Sequence, residues 1–189
     1  MNVKKDSFFI NEVKNGNIDA FKFLVEKHKD MIYTIVMRIV RIREDAEEIA
    51  QDAFIKAFQS IDLFEGKSEF STWIYKIAYN LSISHIRKKK YKNIEIDDNL
   101  ISDNDIFETY NDFIKLEESE RNRILKNAVN SLNEDDALII TLFYIKEISV
   151  NEIEEITNLS KSNIKIKLFR ARKQLFSILK DKKELIYTV

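Results

Sequence analysis

Apolar residues recur every three or four positions through the first part of the chain, which is the spacing of one buried helix face. One stripe consists of Phe21, Leu24, Val25, His28, Ile32, Ile35 and Ile39. A second, more regular stripe consists of Ala46, Ile49, Ala50, Ala53, Phe54, Ala57, Phe58 and Ile61. A third helix is predicted from Ser71 or Thr72 to Lys90, with an inner face of Ile74, Ile77, Ala78 and Leu81. These stripes predict a helical unit up to about residue 92.

The pattern stops after this unit and resumes near Asp112. Residues 93–111 are polar and acidic and have no sustained helical period, which is typical of a linker. We therefore predict an all-α protein with two small helical domains, residues 1–92 and 112–189, joined by an acidic linker over residues 93–111.

The second domain contains two signals for helix starts. Asn133-x-x-Asp136 and Ser149-x-x-Glu152 both resemble capping boxes, and Ser149 fits that pattern better. Each predicts that a helix begins immediately after the capping side chain.

A tight turn is predicted at Asn158, because asparagine tolerates a left-handed backbone. Ser160 can then cap a last helix, whose inner stripe is Ile164, Leu168, Ala171 and Leu175. Two helices joined by a tight turn, the second of them strongly basic, indicate a helix-turn-helix.

Composition supports long helices in a reducing compartment. The chain of 189 residues has no proline, two glycines and no cysteine, so helix breakers are few and disulfides are excluded. The N-terminus lacks the long apolar run of a signal peptide. The most apolar stretch, Met31 to Ile42, contains Arg38 and is too short to cross a bilayer. We expect a soluble, cytoplasmic protein.

The net charge of −1 alone argues weakly against nucleic-acid binding, but the charges are segregated. A basic cluster follows the third helix at Arg87, Lys88, Lys89, Lys90 and Lys92. Residues 161–183 carry nine lysines and arginines against one acid, Asp181, whereas residues 93–120 carry ten acids against Lys115. The net charge is therefore close to zero because an acidic segment offsets two basic surfaces.

Three helix faces are candidates for binding. Opposite the core stripe of the second helix lie Glu48, Asp52, Ile55 and Gln59, with Gln51 beside them. The isoleucine favours a protein-binding face, although a single exposed isoleucine is also common on free surfaces.

The outer side of the third helix combines cations, an amide and aromatic groups. It carries Lys76, Asn80, Ile83 and Arg87, and Trp73 stands at its start after the loop Phe64–Phe70. Such groups hold phosphates, bond base edges and stack on unpaired bases. The alternative interpretation makes Phe64, Phe70 and Trp73 core residues, the last two most of all, and the basic run a solvated helix end.

On the last helix, Ser162, Asn163, Ile166 and Arg170 face away from the core stripe. Asparagine and arginine read adenine and guanine edges in a major groove, and isoleucine contacts a thymine methyl. The surrounding cations, Lys161, Lys165, Lys167, Arg172 and Lys173, suit phosphates.

Catalytic and metal chemistry are not indicated. His28 falls on an apolar stripe and is interpreted as a satisfied core residue, and neither it nor His85 has a partner at metal-ligand spacing. No phosphate loop or nucleophile motif is present. We expect no catalytic site, no cofactor and no small-molecule substrate.

Two stretches resemble a known family. The run Asp45-Ala-Glu-Glu-Ile-Ala-Gln-Asp-Ala-Phe54, then Phe64-x-Gly66, Phe70-Ser-Thr-Trp-Ile-Tyr-Lys-Ile-Ala-Tyr-Asn80 and His85-Ile-Arg-Lys-Lys-Lys90, resembles region 2 of sigma-70 factors, in particular the extracytoplasmic-function (ECF) subgroup. Ser149 to Leu175, with Phe169-Arg-Ala-Arg-Lys-Gln-Leu175, resembles region 4 of that subgroup, and Asn127 to Asp136 resembles its lead-in. The resemblance covers nearly the whole chain except the linker.

The resemblance implies a role for each face. Glu48, Gln51, Asp52 and Ile55 would dock on the clamp helices of the largest subunit of RNA polymerase core. The −10 element would be bound by Phe64, Lys67, Ser68, Trp73, Lys76, Asn80, Arg87 and Lys88. Asn80 and the loop are the candidates for capturing a flipped base. The −35 duplex would be read by Lys161, Ser162, Asn163, Lys165, Ile166, Lys167, Arg170 and Lys173.

The resemblance also implies a membrane-anchored anti-sigma partner that covers the polymerase-binding faces. The sequence departs from the family pattern at Glu154, Thr157 and Asn158, where alanine, an aliphatic residue and glycine are common, and at Tyr79, which replaces a frequent arginine.

Two other functions compete with the sigma factor. A stand-alone helix-turn-helix regulator would explain residues 149–175 but would leave Phe64–Lys90 without a role. A helical adaptor without any DNA role would leave both basic faces merely solvated.

Overall fold

A computed structural model describes residues 5–93 and 120–180 of the chain. These residues form eight α-helices and no strand, so the predicted all-α fold is confirmed. The chain divides into two compact units, Met1–Asp98 and Asn99–Val189, and both contain buried apolar residues of their own. The predicted linker lies outside the described residues except for Asn93, as does the predicted return of helical pattern at Asp112.

The N-terminal unit is a bundle in which helices α2, α3 and α4 pack on one another and α1 packs on α2. Its elements are α1 (Asp6–Lys14), a 3₁₀ turn (Ile18–Ala20), α2 (Phe21–Val40), α3 (Arg43–Gln59), a second 3₁₀ turn (Ile61–Leu63) and α4 (Phe70–Asn93). The predicted stripes are confirmed, since Leu24, Ile32, Ala46, Ala53 and Ile74 are among their fully buried members. Helix α2 buries more than its predicted stripe because it contacts all three other helices.

Helix α1 is fixed by a buried polar network. The Asp6 carboxylate lies 3.0 Å from His28 Nε2 and accepts a hydrogen bond of 2.6 Å from Lys27 Nζ. The other ring nitrogen, His28 Nδ1, lies 3.2 Å from the Tyr75 hydroxyl. The expectation that His28 is a satisfied core residue is confirmed. Burial lowers the pKa of His28 and raises that of Tyr75 to about 12.

Residues 120–180 of the C-terminal unit form four helices and one π-helical turn. In order, these are α5 (Glu120–Asn130), α6 (Glu134–Ile140), the π turn (Thr141–Ile145), α7 (Val150–Thr157) and α8 (Lys161–Leu179). Its core contains Ile139, Leu142, Ile153, Ile156 and Ile164, each at most 1 % exposed. The predicted inner stripe of α8 is buried at Ile164, Leu168 and Ala171 and half-buried at Leu175.

Both predicted helix starts are confirmed. Ser149 and Glu152 form a complete capping box, in which the Ser149 hydroxyl accepts from Glu152 N and the Glu152 carboxylate accepts from Ser149 N. The Asn133 side chain accepts a hydrogen bond of 3.0 Å from Asp136 N at the start of α6. Two unrelated local signals therefore set where α6 and α7 begin.

The turn between α7 and α8 has the predicted left-handed residue. Asn158 adopts φ 58°, and Ser160 caps α8 by accepting a hydrogen bond from Asn163 N. Two departures from the family pattern are bonded into this turn. The Thr157 hydroxyl accepts a hydrogen bond from Leu159 N, and the Glu154 carboxylate accepts one from Lys161 N. These polar residues therefore hold the turn through hydrogen bonds.

Candidate nucleic-acid interface

The outer face of α3 is exposed at all four residues predicted to bind polymerase. Glu48, Gln51, Asp52 and Ile55 each lie at the surface. The Ile55 side chain keeps 54 % of its surface accessible, so an apolar group stands among charged and amide groups. Such a composition suits a protein partner that covers Ile55 and pairs with the acids.

An aromatic cluster joins the Phe64–Phe70 loop to the first turn of α4. The Phe64 ring lies 5.7 Å from that of Phe70 and 5.2 Å from that of Trp73, and the Phe70 and Trp73 rings are 5.7 Å apart. Phe70 is buried at 2 % exposure, whereas Phe64 and Trp73 are only half-buried. The core interpretation thus holds for Phe70, and the other two rings keep surface that a base can stack on.

The backbone of the same loop is held from two sides. Lys14, the last residue of α1, donates a hydrogen bond of 2.7 Å from Nζ to the Phe64 carbonyl. Gly66 adopts φ 71°, in the left-handed region that glycine enters without steric cost. After Gly66, Lys67 is exposed and pairs with Glu65, and Ser68 is half-buried.

Four of the residues predicted to contact the −10 element share one side of α4. At 100° per residue, Trp73, Lys76, Asn80 and Arg87 fall within about 60° of one another. With a rise of about 1.5 Å per residue, this row is about 21 Å long from Trp73 to Arg87. Asn80 and Arg87 are exposed, and Lys76 is half-buried. The row places cations, an amide and aromatic surface along one line, as a bound strand requires.

Only part of the basic end of α4 is turned toward the bundle. Asp45, in the first turn of α3, lies 3.0 Å from His85 Nε2 and accepts a 3.3 Å hydrogen bond from Lys89 Nζ. Arg87 and Lys88 are instead exposed. The pairing with Asp45 therefore separates the exposed pair, which we predicted to hold the DNA backbone, from neighbours that tie α4 to α3.

On α8 the predicted duplex-reading face is also largely exposed. Lys161, Ser162, Asn163, Lys165, Ile166 and Lys173 all lie at the surface, and Ile166 is 63 % exposed. The helix is capped by Ser160 and follows the turn at once, so its N-terminal residues project from a fixed start. Lys161 Nζ lies 3.6 Å from the Glu154 carboxylate across that turn.

The remaining two predicted residues on α8 are bound to the first turn of α6. Lys167 donates a hydrogen bond of 2.7 Å from Nζ to Asp135. Arg170 donates two, from Nε at 2.8 Å and Nη2 at 2.7 Å, to the two carboxylate oxygens of Asp136. We refer to these two pairs as the α6–α8 clamp. Sequence reasoning missed the clamp because its partners lie 32 and 34 residues apart.

The clamp fixes the protonation states of its inner pair. Burial opposes ionisation of Asp136, but the hydrogen bonds from Arg170 and Asn133 outweigh it and hold the pKa of this carboxyl below its ordinary value. The hydrogen bond to Asp136 in turn raises the pKa of Arg170. The pair is therefore ionised at neutral pH.

Phe169 is a surface residue that the sequence prediction omitted. Phe169 is 67 % exposed, and at 100° per residue it lies about 20° from Ser162 and about 60° from Ile166 on the same side of α8. The same angular reasoning that selected Ile166 would have found it. An exposed phenylalanine among the candidate base readers can contact thymine methyl groups.

Models of known families match the two units separately. The model of sigma-70 region 2 matches residues 24–91, and the model of sigma-70 region 4 matches residues 122–175. The chain belongs to the sigma-70 family. Within that family it is an ECF factor, since it is 36 % identical to the ECF RNA polymerase sigma factor SigW of Bacillus subtilis over 91 % of this chain and 95 % of that one. It is also 29 % identical to the ECF RNA polymerase sigma-E factor of Haemophilus influenzae, over 90 % of this chain and 93 % of the other.

Solved structures share the fold of this ECF factor. The sigma factor RpoE of Bartonella quintana, in complex with the anti-sigma factor NepR, matches with a TM-score of 0.66 at 23 % identity, covering 85 % of this chain and 96 % of that one. CnrH, in complex with the cytosolic domain of CnrY, matches with a TM-score of 0.63 at 19 % identity, covering 93 % and 97 %. Within residues 5–93 and 120–180, no helix has the length and apolar character needed to span a bilayer.

Proposed function

We propose that this chain is an alternative sigma factor that directs RNA polymerase core to specific promoters and assists their melting when transcription begins. The observation that carries the proposal is the presence of both surfaces in one chain of an ECF factor. The N-terminal unit has the α3 face and the α4 row, and the C-terminal unit has a basic helix-turn-helix. A stand-alone helix-turn-helix regulator would use only the second of these.

The α3 face of Glu48, Gln51, Asp52 and Ile55 is proposed to dock on the clamp helices of the largest polymerase subunit. Its exposed isoleucine and two acids support this assignment. The proposed domains are residues 1–92 and 112–189, and the acidic linker of residues 93–111 runs along polymerase, where its charge resembles that of nucleic acid.

The α4 row and the Phe64–Phe70 loop are proposed to take the −10 element as single strand. The half-buried rings of Phe64 and Trp73 support stacking on an unpaired base, and exposed Asn80 supports a contact to a base edge. Lys67, Ser68, Lys76, Arg87 and Lys88 hold the backbone in this proposal. Stacking on these rings and the contact to Asn80 would offset the cost of unstacking a base at the point where melting starts.

The exposed face of α8 is proposed to enter the major groove of the −35 element. Ser162, Asn163, Ile166 and Arg170 read base edges, and Lys161, Lys165, Lys167 and Lys173 contact phosphates. The chain needs no cofactor and carries out no catalysis in this role; the chemistry belongs to polymerase.

The chain is further proposed to be a cytoplasmic protein that an anti-sigma factor holds inactive, at the inner face of the membrane when that partner is membrane-anchored. RpoE is in complex with an anti-sigma factor, and the CnrY that accompanies CnrH is a cytosolic domain. Such a partner would cover the exposed α3 face when polymerase does not.

Two substitutions in a reconstituted holoenzyme test the assignment of the two N-terminal faces. Asp52→Lys is expected to weaken binding to core polymerase by roughly tenfold or more, because it reverses a charge in the docking face. Asn80→Ala is expected to leave core affinity unchanged and to slow open-complex formation. Asp30→Lys, the same charge change at an exposed position of α2, is the matched control.

Each outcome bears on a different part of the proposal. Equal core affinity of wild type and the Asp52 variant would contradict the docking face. If wild type with core opens no promoter of its own genome, the sigma function itself is wrong. Operator binding as a dimer without core would instead favour the stand-alone regulator.

A further inference from the structure

Asp136 is a fully buried carboxylate in the C-terminal unit. It is the third residue of α6, its exposure is 0 %, and Asn133 caps the helix immediately before it. Burying a charge is costly unless hydrogen bonds compensate. Among the described residues of this unit, the other buried positions are aliphatic except for Thr141 and Thr157, so Asp136 is the one buried charged side chain there.

The oxygens of Asp136 are bonded to fixed donors. Oδ1 accepts from Arg170 Nη2 at 2.7 Å, and Oδ2 accepts from Arg170 Nε at 2.8 Å and from Asn133 Nδ2 at 2.9 Å. The carboxylate is thus anchored to the cap of α6 on one side and directed at Arg170 on the other. Its position is set by the fold.

Arg170 meets this carboxylate with one edge of its guanidinium. The contact uses Nε and one N–H of Nη2, and a guanidinium has five N–H donors in a planar fork. The second N–H of Nη2 and one N–H of Nη1 lie side by side on the outer edge. The side chain is 56 % exposed, so solvent or a ligand reaches it.

Two adjacent acceptors are the natural complement of that second edge. In the major groove, the O6 and N7 atoms of guanine present such a pair, and bidentate arginine is its commonest reader. An arginine held in one orientation before binding loses less rotamer freedom when the contact forms. Arg170 also belongs to the face of α8 that carries Ser162, Asn163 and Ile166.

We propose that Asp136 is a positioning residue for promoter recognition, which holds Arg170 so that its outer edge reads a guanine base pair in the −35 element. The inference rests on the proposed function of α8. It assigns specificity to a residue that itself does not touch DNA. Lys167, which is 12 % exposed and bound to exposed Asp135, is assigned no base preference.

Base preference at the −35 element of a mapped promoter tests this inference. Holoenzyme made from core and the full chain is assayed on promoters in which each −35 base pair is varied. Wild type should prefer guanine at one position, and Asp136→Asn should reduce that preference about tenfold, the scale of one bidentate base contact. Arg170→Lys should reduce preference at the same position, and the double variant should lose little more, because both changes remove one interaction.

Asp135→Asn is the matched control, since it makes the same chemical change one residue away, in the other pair of the α6–α8 clamp. It should leave the profile of base preference unchanged. If Asp136→Asn fails to fold, Asp136→Glu decides, because it keeps the charge and moves the carboxylate by one methylene. That variant should bind promoters and show reduced guanine preference, and wild-type preference in it would overturn the proposal.

Two further results would also overturn it. A uniform loss of affinity for all −35 sequences in the Asp136 variants would mean that Arg170 contacts phosphate or only braces α8. An unchanged preference in Arg170→Lys would mean that Arg170 reads no base. Both results leave the sigma function intact, whereas a wild-type holoenzyme that initiates at no promoter contradicts the proposed function.

Discussion

The two units hold their candidate DNA-facing side chains in different ways. In the N-terminal unit, the rings of Phe64 and Trp73 pack against the buried ring of Phe70, so apolar contacts hold them in place. In the C-terminal unit, the α6–α8 clamp fixes Lys167 and Arg170 through ion pairs. Apolar packing depends little on acid, whereas an ion pair is lost when acid protonates its carboxylate. The comparison suggests that each unit fails under different conditions.

The largest expected effect tests the aromatic half of this comparison. Phe70→Ala should lower the free energy of unfolding of the N-terminal unit by about 3–5 kcal/mol, because it leaves a cavity beneath Phe64 and Trp73. Denaturant unfolding followed by fluorescence measures it. Trp73 is the only tryptophan, so the signal reports on this unit. Phe169→Ala, at an exposed ring on α8, should change stability by less than about 0.5 kcal/mol.

A smaller effect is expected from the helix starts of the C-terminal unit. Ser149→Ala removes the capping box of α7 and should destabilise this unit by about 1 kcal/mol. Hydrogen exchange of the amides of α7 and α8 measures the loss. Ser162→Ala removes an exposed hydroxyl near the start of α8 that is not its cap, and it should have little effect. Equal losses in both variants would show that the cap contributes nothing.

The smallest expected effect separates the units by pH. Burial lowers the pKa of His28 below 6.5, so above pH 6.5 this side chain is neutral in both the folded and the unfolded protein. Below pH 6.5 the unfolded chain takes up the proton first, and stability is lost as the pH falls through the folded pKa. The loss of stability is limited because the Asp6 carboxylate favours the charged form of His28. The charge of Lys27 opposes this effect, and the Tyr75 hydroxyl faces the other ring nitrogen.

The C-terminal unit should lose stability only at lower pH. The pKa of Asp136 lies below its ordinary value of 3.8, so its contribution is present above that pH and disappears as the pH falls further. Titration of wild type by Trp73 fluorescence and by hydrogen exchange of α8 compares the units. In His28→Gln the transition of the N-terminal unit below pH 6.5 should be absent. Simultaneous loss of both units near pH 6 would contradict this ordering.

Sequence reasoning found what local spacing encodes. Helical period located the buried faces of α2, α3, α4 and α8, and capping side chains located the starts of α6 and α7. Asn158 was recognised because few residues besides glycine adopt its backbone conformation readily. Each of these signals lies within a few residues of the feature it specifies.

The contacts that the sequence did not reveal join distant residues. The sequence does not predict helix α1, because few of its residues are buried. Asp6, which anchors it, bonds to His28, which lies 22 residues further along the chain. Helical periodicity predicts that Arg170 lies on an outer face of its helix, and it does. The same periodicity cannot show which carboxylate lies beside it. The roles of the individual site residues remain predictions for the same reason, since a face shows what is available and not what binds it.

The bond between Asp6 and His28 has a practical consequence for dissecting the molecule. The region 2 match begins at residue 24, inside α2 and after the whole of α1. A fragment excised at that point would lose the carboxylate that covers His28, together with Ile10 and Val13, which α1 buries. We therefore expect a stable fragment of this half to start no later than Asp6, well before the boundary that family similarity suggests.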